Sequence, residues 1–299
     1  MTPPGYGGAP QGFRLRSSTV RSGLVELVGA GGVLVLSGAG LSTDSGIPDY
    51  RGPTGALRRG SPMTFREFTG SATARRRYWA RSHLGWRTIA RARPNPGHEA
   101  VARLQATGLV DAVVTQNVDG LHQAAGATGV VELHGGLDRV VCLRCGDVST
   151  RAELDSRLRL ANPGFSAAVQ RVNPDGDADV PDDVLEGFVV VDCLRCGSGP
   201  LKPDVVFFGE TVPKDRVRRC FGLVDAADAV LVLGSSLTVM SGYRFVLHAA
   251  RRGTPVAIVN AGATRGDGRA DVRLDAPLGE VLPWLVAELT DRTAVDRPA

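Results

Sequence analysis

Lysine is nearly missing from this chain: of its 35 basic residues only Lys202 and Lys214 are lysines, and the rest are arginine. Such a bias follows from the base composition of a gene as readily as from phosphate binding. The basic residues are spread along the chain and offset by 31 acids, leaving a net charge of +4. A nucleic-acid footprint would concentrate charge in a run or on one face, so no direct nucleic-acid partner is expected. Long apolar runs are also lacking; none approaches the roughly 18 residues a membrane span needs. Met1 to Gly12 is rich in Gly and Pro and has neither the charged start nor the apolar stretch of a signal peptide. These absences lead us to expect no membrane partner, a cytoplasmic location, a disordered tail over 1–16 and a flexible C-terminus over 291–299. Cysteine is scarce too, with five in 299 residues, which does not suit a disulfide framework.

Aromatics make up only 5% of the chain, yet 43% hydrophobic residues in 299 can supply a large core. Several apolar runs end in polar or glycine-rich loops. Val33 to Leu36 leads into Gly38-Ala39-Gly40, Ala112 to Thr115 into Gln116-Asn117-Val118-Asp119, and Val130 to Leu133 into His134-Gly135. Ala229 to Leu233 leads into Gly234-Ser235-Ser236, and Val256 to Val259 into Asn260-Ala261-Gly262. Helix-like segments between them, such as Gly97 to Ala106 and Gly242 to Arg252, give the alternation of a parallel α/β sheet. In such sheets the loops after the strands gather along one edge, where doubly wound folds bind ligands. Gly38-Ala39-Gly40-Leu41-Ser42-Thr43 has the glycine turn of a dinucleotide cradle, but Thr43 stands where a third glycine would be expected. On its own it reads equally as an ordinary strand-to-helix turn.

Four of the five cysteines form two near-copies, Cys142-Leu143-Arg144-Cys145-Gly146 and Cys193-Leu194-Arg195-Cys196-Gly197. Two tight Cys-x-x-Cys turns supply the four-sulfur shell of a structural Zn²⁺ site with no position left for water. A redox pair or four buried thiols are the other readings. Cys220 is expected to pack in the core. Between the knuckles we expect a helix near Arg151 to Leu160. The acidic Asn173-Pro174-Asp175-Gly176-Asp177 lacks the ligand spacing and closing Glu of a calcium loop and reads as a solvated surface turn.

The ordered set Gly38-Ala39-Gly40-x-Ser42, Ile47-Pro48-Asp49-Tyr50-Arg51, Thr115-Gln116-Asn117-Val118-Asp119, Glu132-Leu133-His134-Gly135, the paired knuckles, Lys202-Pro203-Asp204-Val205-Val206-Phe207-Phe208-Gly209-Glu210 and Gly234-Ser235-Ser236-Leu237 resembles the sirtuin family of NAD-dependent protein deacylases over about residues 25–290. Thr43-Asp44-Ser45, Arg77-Tyr78-Trp79-Ala80-Arg81, Pro94-Asn95-Pro96-Gly97-His98, Asn173 to Asp177 and Ser241-Gly242-Tyr243-Arg244-Phe245 look like its class II branch. The resemblance implies a Rossmann-like parallel-sheet domain over 17–137 and 203–290, with a smaller zinc-binding module inserted at 138–202. It also implies NAD as cosubstrate and one structural Zn²⁺.

The implied reaction begins when the carbonyl oxygen of an acylated lysine on a protein substrate attacks the ribose carbon that bears nicotinamide. Nicotinamide leaves, and a ribose hydroxyl then captures the acyl carbon, which moves the acyl group to ADP-ribose. By the same resemblance His134 is the general base, and Asn117 and Asp119 hold the nicotinamide-side ribose and carboxamide. Gln116 and Val118 flank them. Gly38, Ala39, Gly40, Ser42, Thr43, Asp49, Tyr50 and Arg51 form the loop over NAD; Gly234, Ser235 and Ser236 face phosphate or the adenine-side ribose; Asn260, Ala261, Gly262 and Leu278 surround adenosine. Phe207, Phe208 and Gly209 border the acyl-lysine channel, with Glu210, Leu237 and Val239 nearby. Tyr78 and Arg81, three apart on a helix, share a face and resemble a pair that recognises acidic acyl groups in another branch, so a widened preference for carboxylated acyl chains is expected, a solvated basic face within Arg75 to Arg81 being the other reading. His98 and His122 lie near motifs but do not match the base. Protein ADP-ribosyl transfer is the alternative activity, and a non-catalytic NAD-binding zinc-ribbon interaction protein is the alternative class.

Overall fold

A computed structural model describes residues 11–51, 62–167, 169, 171–181 and 185–295. Residues 1–10 and 296–299 of the two expected flexible ends lie outside the described residues. The chain runs α1 (Gln11–Gly29), β1 (Val33–Ser37), α2 (Phe65–Gly70), α3 (Ala72–Arg91), α4 (Pro96–Ala106), β2 (Val110–Thr115), α5 (Leu121–Ala124), β3 (Val131–Glu132), β4 (Gly135–Cys142), β5 (Val148–Thr150), α6 (Arg151–Ala161), β6 (Arg171–Val172), β7 (Ala178–Asp179), β8 (Leu201–Val205), α7 (Lys214–Ala226), β9 (Ala229–Leu233), α8 (Met240–Arg252), β10 (Val256–Val259), β11 (Val272–Leu274) and α9 (Leu278–Val295). Helix α1 thus begins inside the stretch expected to be tail, and α9 continues past 290. No proline interrupts residues 11–29, so once Leu24, Val25 and Val28 are packed the helix can propagate back toward its start.

Six strands form one parallel sheet in the order β11-β10-β9-β1-β2-β3. Every residue of β1, β9 and β10 is buried, which is why these strands read as unbroken apolar runs: both faces of the sheet are covered. Alternation sorts their side chains. Val33, Val35, Leu231, Leu233, Ala257 and Val259 pack with α1, α4 and α9. Leu34, Leu36, Val230, Val232, Val256 and Ile258 pack with Cys220 and Val224 of α7 and Phe245, Val246 and Ala249 of α8. Cys220 is therefore a core residue. Among the described residues no helix is long and apolar enough to cross a membrane.

A smaller antiparallel sheet, in the order β5-β4-β8, joins this domain where Gly135 pairs with Val205. Its core extends beyond the inserted segment. Leu137, Val140, Leu154, Leu158 and Leu201 cluster with Phe68 of α2 and with Tyr78, Trp79 and Ile89 of α3, and the Trp79 indole donates to the Leu201 carbonyl at 3.0 Å. The smaller unit thus draws on two helices that lie outside residues 138–202.

The segment 173–177 departs from its expected solvated state. β6 and β7 make a short hairpin around it, with Pro174, Gly176 and Asp177 buried. Two features of α3 hold it there. Gly85 has no side chain, and a Cβ at that position would collide with the Gly176 carbonyl. Arg81 donates from Nε to the Ala178 carbonyl at 2.8 Å and pairs with Asp177 and Asp179, each at 3.0 Å.

Candidate active site

The loops after β1, β2, β3 and β9 meet around one cavity of about 1070 Å³. Every residue assigned to NAD from the sequence borders it, as do His134 and all the residues assigned to acyl-lysine except Arg81. The glycines of the first loop act through close approach. Gly38 N–H donates to the Leu233 carbonyl at 2.9 Å and Gly40 N–H to the Gly234 carbonyl at 2.8 Å, so these two donors serve the contact between loops. A Cβ on Gly40 would lie 2.9 Å from the Gly234 carbonyl oxygen and one on Gly38 would lie 2.8 Å from Ser235 Cβ. Gly40→Ala must push backbone against backbone, and we expect a loss of about 1–3 kcal/mol, read from the denaturant midpoint.

Behind that loop, α4 begins with the Asn95 side chain accepting from the N–H groups of Gly97 and His98. Asn95 Nδ2 also donates to the Leu41 carbonyl at 2.7 Å, which fixes the turn that carries Ser42. The buried Ser42 hydroxyl donates to Asp119 Oδ2 at 2.7 Å and accepts from Asn117 Nδ2 at 3.0 Å. Asp119 Oδ1 accepts from the Leu121 N–H at 3.0 Å. Burial raises the Asp119 pKa, against the lowering effect of these two donors. Ser42→Ala removes a donor to Asp119 and an acceptor for Asn117, the two groups that the family resemblance places at the nicotinamide end of NAD. Kinetics over a range of NAD concentrations should show kcat/KM for NAD falling by roughly tenfold, the worth of about 1.5 kcal/mol for a hydrogen bond to a charged group.

His134 follows β3 and faces the cavity. Its Nδ1 lies 2.9 Å from the Gln116 carbonyl, which can only accept, so Nδ1 carries the proton in the neutral ring. Nε2 is left with its lone pair and accepts from the Ser241 hydroxyl at 2.8 Å. Burial lowers the His134 pKa below its ordinary value; the Gln116 bond opposes this, and Arg216 and Arg244 reinforce it. The ring is a neutral base at pH 7. His98 and His122 are also neutral, pushed down to about 4 and about 3 by burial, and their rings stack edge to face 5.2 Å apart beneath the site. Neither borders the cavity.

Tyr78 lines the cavity, its ring packed against Phe68 and Phe207 at 5.4 and 5.2 Å. Arg81 does not. Its ion pairs with the hairpin take its charge, so the expected Tyr78–Arg81 subsite for carboxylated acyl groups is not assembled. Glu210 accepts from the Phe207 N–H at 2.8 Å and pairs with buried Lys202 at 2.9 Å, which holds the Phe207–Glu210 turn. Ser241 and Asp175 border the cavity although their side chains were not assigned to it from the sequence. Ser241 stands two residues after the Gly234–Val239 loop, a placement that pointed toward the rim; Asp175 gave no such signal.

The four cysteine sulfurs lie within 4.8 Å of one another. Cys142 and Cys196 Sγ are 3.7 Å apart and Cys145 and Cys193 Sγ 3.8 Å apart. A tetrahedron of sulfurs about 2.3 Å from Zn²⁺ has edges of about 3.8 Å, so the donor set fits that ion. Gly146 and Gly197 take left-handed conformations, φ 72° and 74°, and donate back to the Cys142 and Cys193 carbonyls, which closes each knuckle.

The Sir2 family profile matches residues 38–241. NAD-dependent protein deacetylase 1 of Streptomyces coelicolor is 62% identical over 266 residues, covering 89% of each chain. The protein of the same name from Mycobacterium avium is 51% identical over 272 residues, covering 89% of this chain and 95% of its own. A Sir2 structure with p53 peptide and NAD⁺ superposes with a TM-score of 0.71 at 29% identity, covering 92% of this chain and 98% of its own. A second Sir2 enzyme structure does so with a TM-score of 0.73 at 31% identity, covering 92% and 99%. The chain belongs to the Sir2, or sirtuin, family.

Proposed function

We propose that this protein is an NAD-dependent protein lysine deacylase that moves the acyl group of acyl-lysine to ADP-ribose and releases nicotinamide. The observation that carries this reading is the placement of His134 Nε2, a lone pair oriented by Gln116, on the same cavity as the Ser42–Asn117–Asp119 constellation. In this reading NAD supplies the labile glycosidic bond. Asn117 and Asp119 orient the nicotinamide end, with Ser42 holding the two in register. Tyr50, edge-on to Phe208 with ring centroids 6.0 Å apart, covers the reacting carbon from water. His134 Nε2 takes the proton of the ribose hydroxyl that captures the acyl carbon. Phe207 and Phe208 guide the lysine stem.

The test incubates the protein with NAD and acyl-lysine peptides and follows nicotinamide, acyl-ADP-ribose and free lysine by mass spectrometry. Equal release of all three supports deacylation. ADP-ribose attached to protein with no acyl-lysine consumed would put ADP-ribosyl transfer in its place. Because the His134 pKa is lowered, the ring protonates only as pH falls through that lowered value. The acid limb of the kcat profile should therefore lie below pH 6.5, the ordinary histidine value. A limb centred above it would remove His134 from this role.

A further inference from the structure

Three residues that differ in origin share the wall of the cavity around the aromatic channel: Tyr50 of the NAD loop, Tyr78 of α3 and Asp175 at the tip of the β6–β7 hairpin. Asp175 is the only carboxylate the hairpin contributes to the lining, and Oδ1 accepts from the Asp177 N–H at 3.2 Å. Arg81 pairs with Asp177 and Asp179 and donates to the Ala178 carbonyl, and its charge also acts on Asp175, whose pKa burial raises and Arg81 lowers. Among the described residues two arginines border the cavity: Arg244 acts on His134 from α8, and Arg51 follows Tyr50 and acts on its phenol. The hairpin sets three carboxylates, Asp175, Asp177 and Asp179, against the one guanidinium of Arg81, while burial raises the pKa of Asp175 and Asp177.

We propose that Asp175 sets acyl specificity: the hairpin wall rejects acyl chains ending in a carboxylate and accepts those carrying a neutral hydroxyl, which can donate to it. A carboxylate arriving here meets Asp175 on the lining, and a site that repels the wrong ligand discriminates as effectively as one that attracts the right one. A hydroxyl loses little, because Asp175 accepts from it and burial keeps the Tyr50 and Tyr78 phenols protonated beside it.

This inference rests on the deacylase reading, and the experiment separates the two. Peptides of one sequence carrying acetyl-, butyryl-, 3-hydroxybutyryl- or glutaryl-lysine are compared by kcat/KM with the full-length protein, Asp175→Asn and Asp175→Ala. The parent is expected to use glutaryl at less than a tenth of the acetyl value. Asp175→Asn, which keeps an acceptor for the Asp177 N–H, should raise the glutaryl-to-acetyl ratio at least tenfold and keep the 3-hydroxybutyryl-to-butyryl ratio above one. Asp175→Ala should raise the first ratio and lower the second. Glutaryl preferred by the parent, or ratios unmoved in both variants while acetyl is consumed, overturns the specificity assignment alone. No peptide consumed by the parent overturns the deacylase reading and this inference with it.

Discussion

Replacing His134 by alanine is expected to slow acyl transfer by roughly 10²–10⁴-fold, the usual worth of a positioned general base. The loss should be this large because the structure gives the ring a single orientation. Nδ1–H is fixed on the Gln116 carbonyl, so Nε2 alone is left to accept a proton, and no second imidazole can substitute because His98 and His122 do not border the cavity. Ser241→Ala removes the hydroxyl that donates to Nε2, but not the base, and should cost less than tenfold. Added imidazole should restore part of the His134→Ala rate by entering the space the ring leaves. A merely structural histidine would show no such rescue. A variant without the ring that turned over at the parental rate would remove general-base catalysis at this position.

The parts of this arrangement that were legible in the sequence are those set by local rules. Strands buried on both faces must be apolar throughout, so Val33–Leu36, Ala229–Leu233 and Val256–Val259 stood out. β11 did not, because it has three residues, lies at the sheet edge and carries Arg273 at its centre. The knuckles were legible because ligand spacing and the closing glycine are both local. The sequence pattern also identified the rim, since parallel strands deliver their following loops to one edge.

What stayed hidden depends on contacts between distant segments. The sequence Asn173-Pro174-Asp175-Gly176-Asp177 has every mark of a surface turn, and nothing within it signals that Arg81 and Gly85 bind it to α3. For the same reason Tyr78 and Arg81, on one helical face by spacing, do different jobs: the ring turns to Phe207 and the guanidinium to the hairpin. Gly38 and Gly40 read in the sequence as a cradle for a ligand or an ordinary turn, whereas the demand for glycine there comes from the β9 loop pressed against them. The Ser241–His134 pair joins residues that strand order alone brings together.

Removing the metal from the four-cysteine site is expected to unfold the smaller unit and abolish activity together. Metal analysis should find about one zinc per chain. Apparent binding free energies for structural zinc are on the order of 10–16 kcal/mol in small peptides, as large as the roughly 5–15 kcal/mol that holds a whole domain folded. Without the ion, four sulfurs within 4.8 Å of one another have no common partner, and both knuckles lose the centre on which they converge. The effect should reach the catalytic cavity through two strands. β4 starts at Gly135, directly after His134, and pairs there with Val205 of β8, two residues before Phe207. Cys145→Ser, or prolonged chelation at neutral pH, should therefore lower the melting temperature by more than 10 °C, since each kcal/mol moves a chain of this size by about 2–4 °C. Nicotinamide release should be lost in the same titration, and added Zn²⁺ should restore both in the chelated parent but not in the variant. Zinc-free protein that melts at the parental temperature and retains its activity would exclude a structural metal at these cysteines.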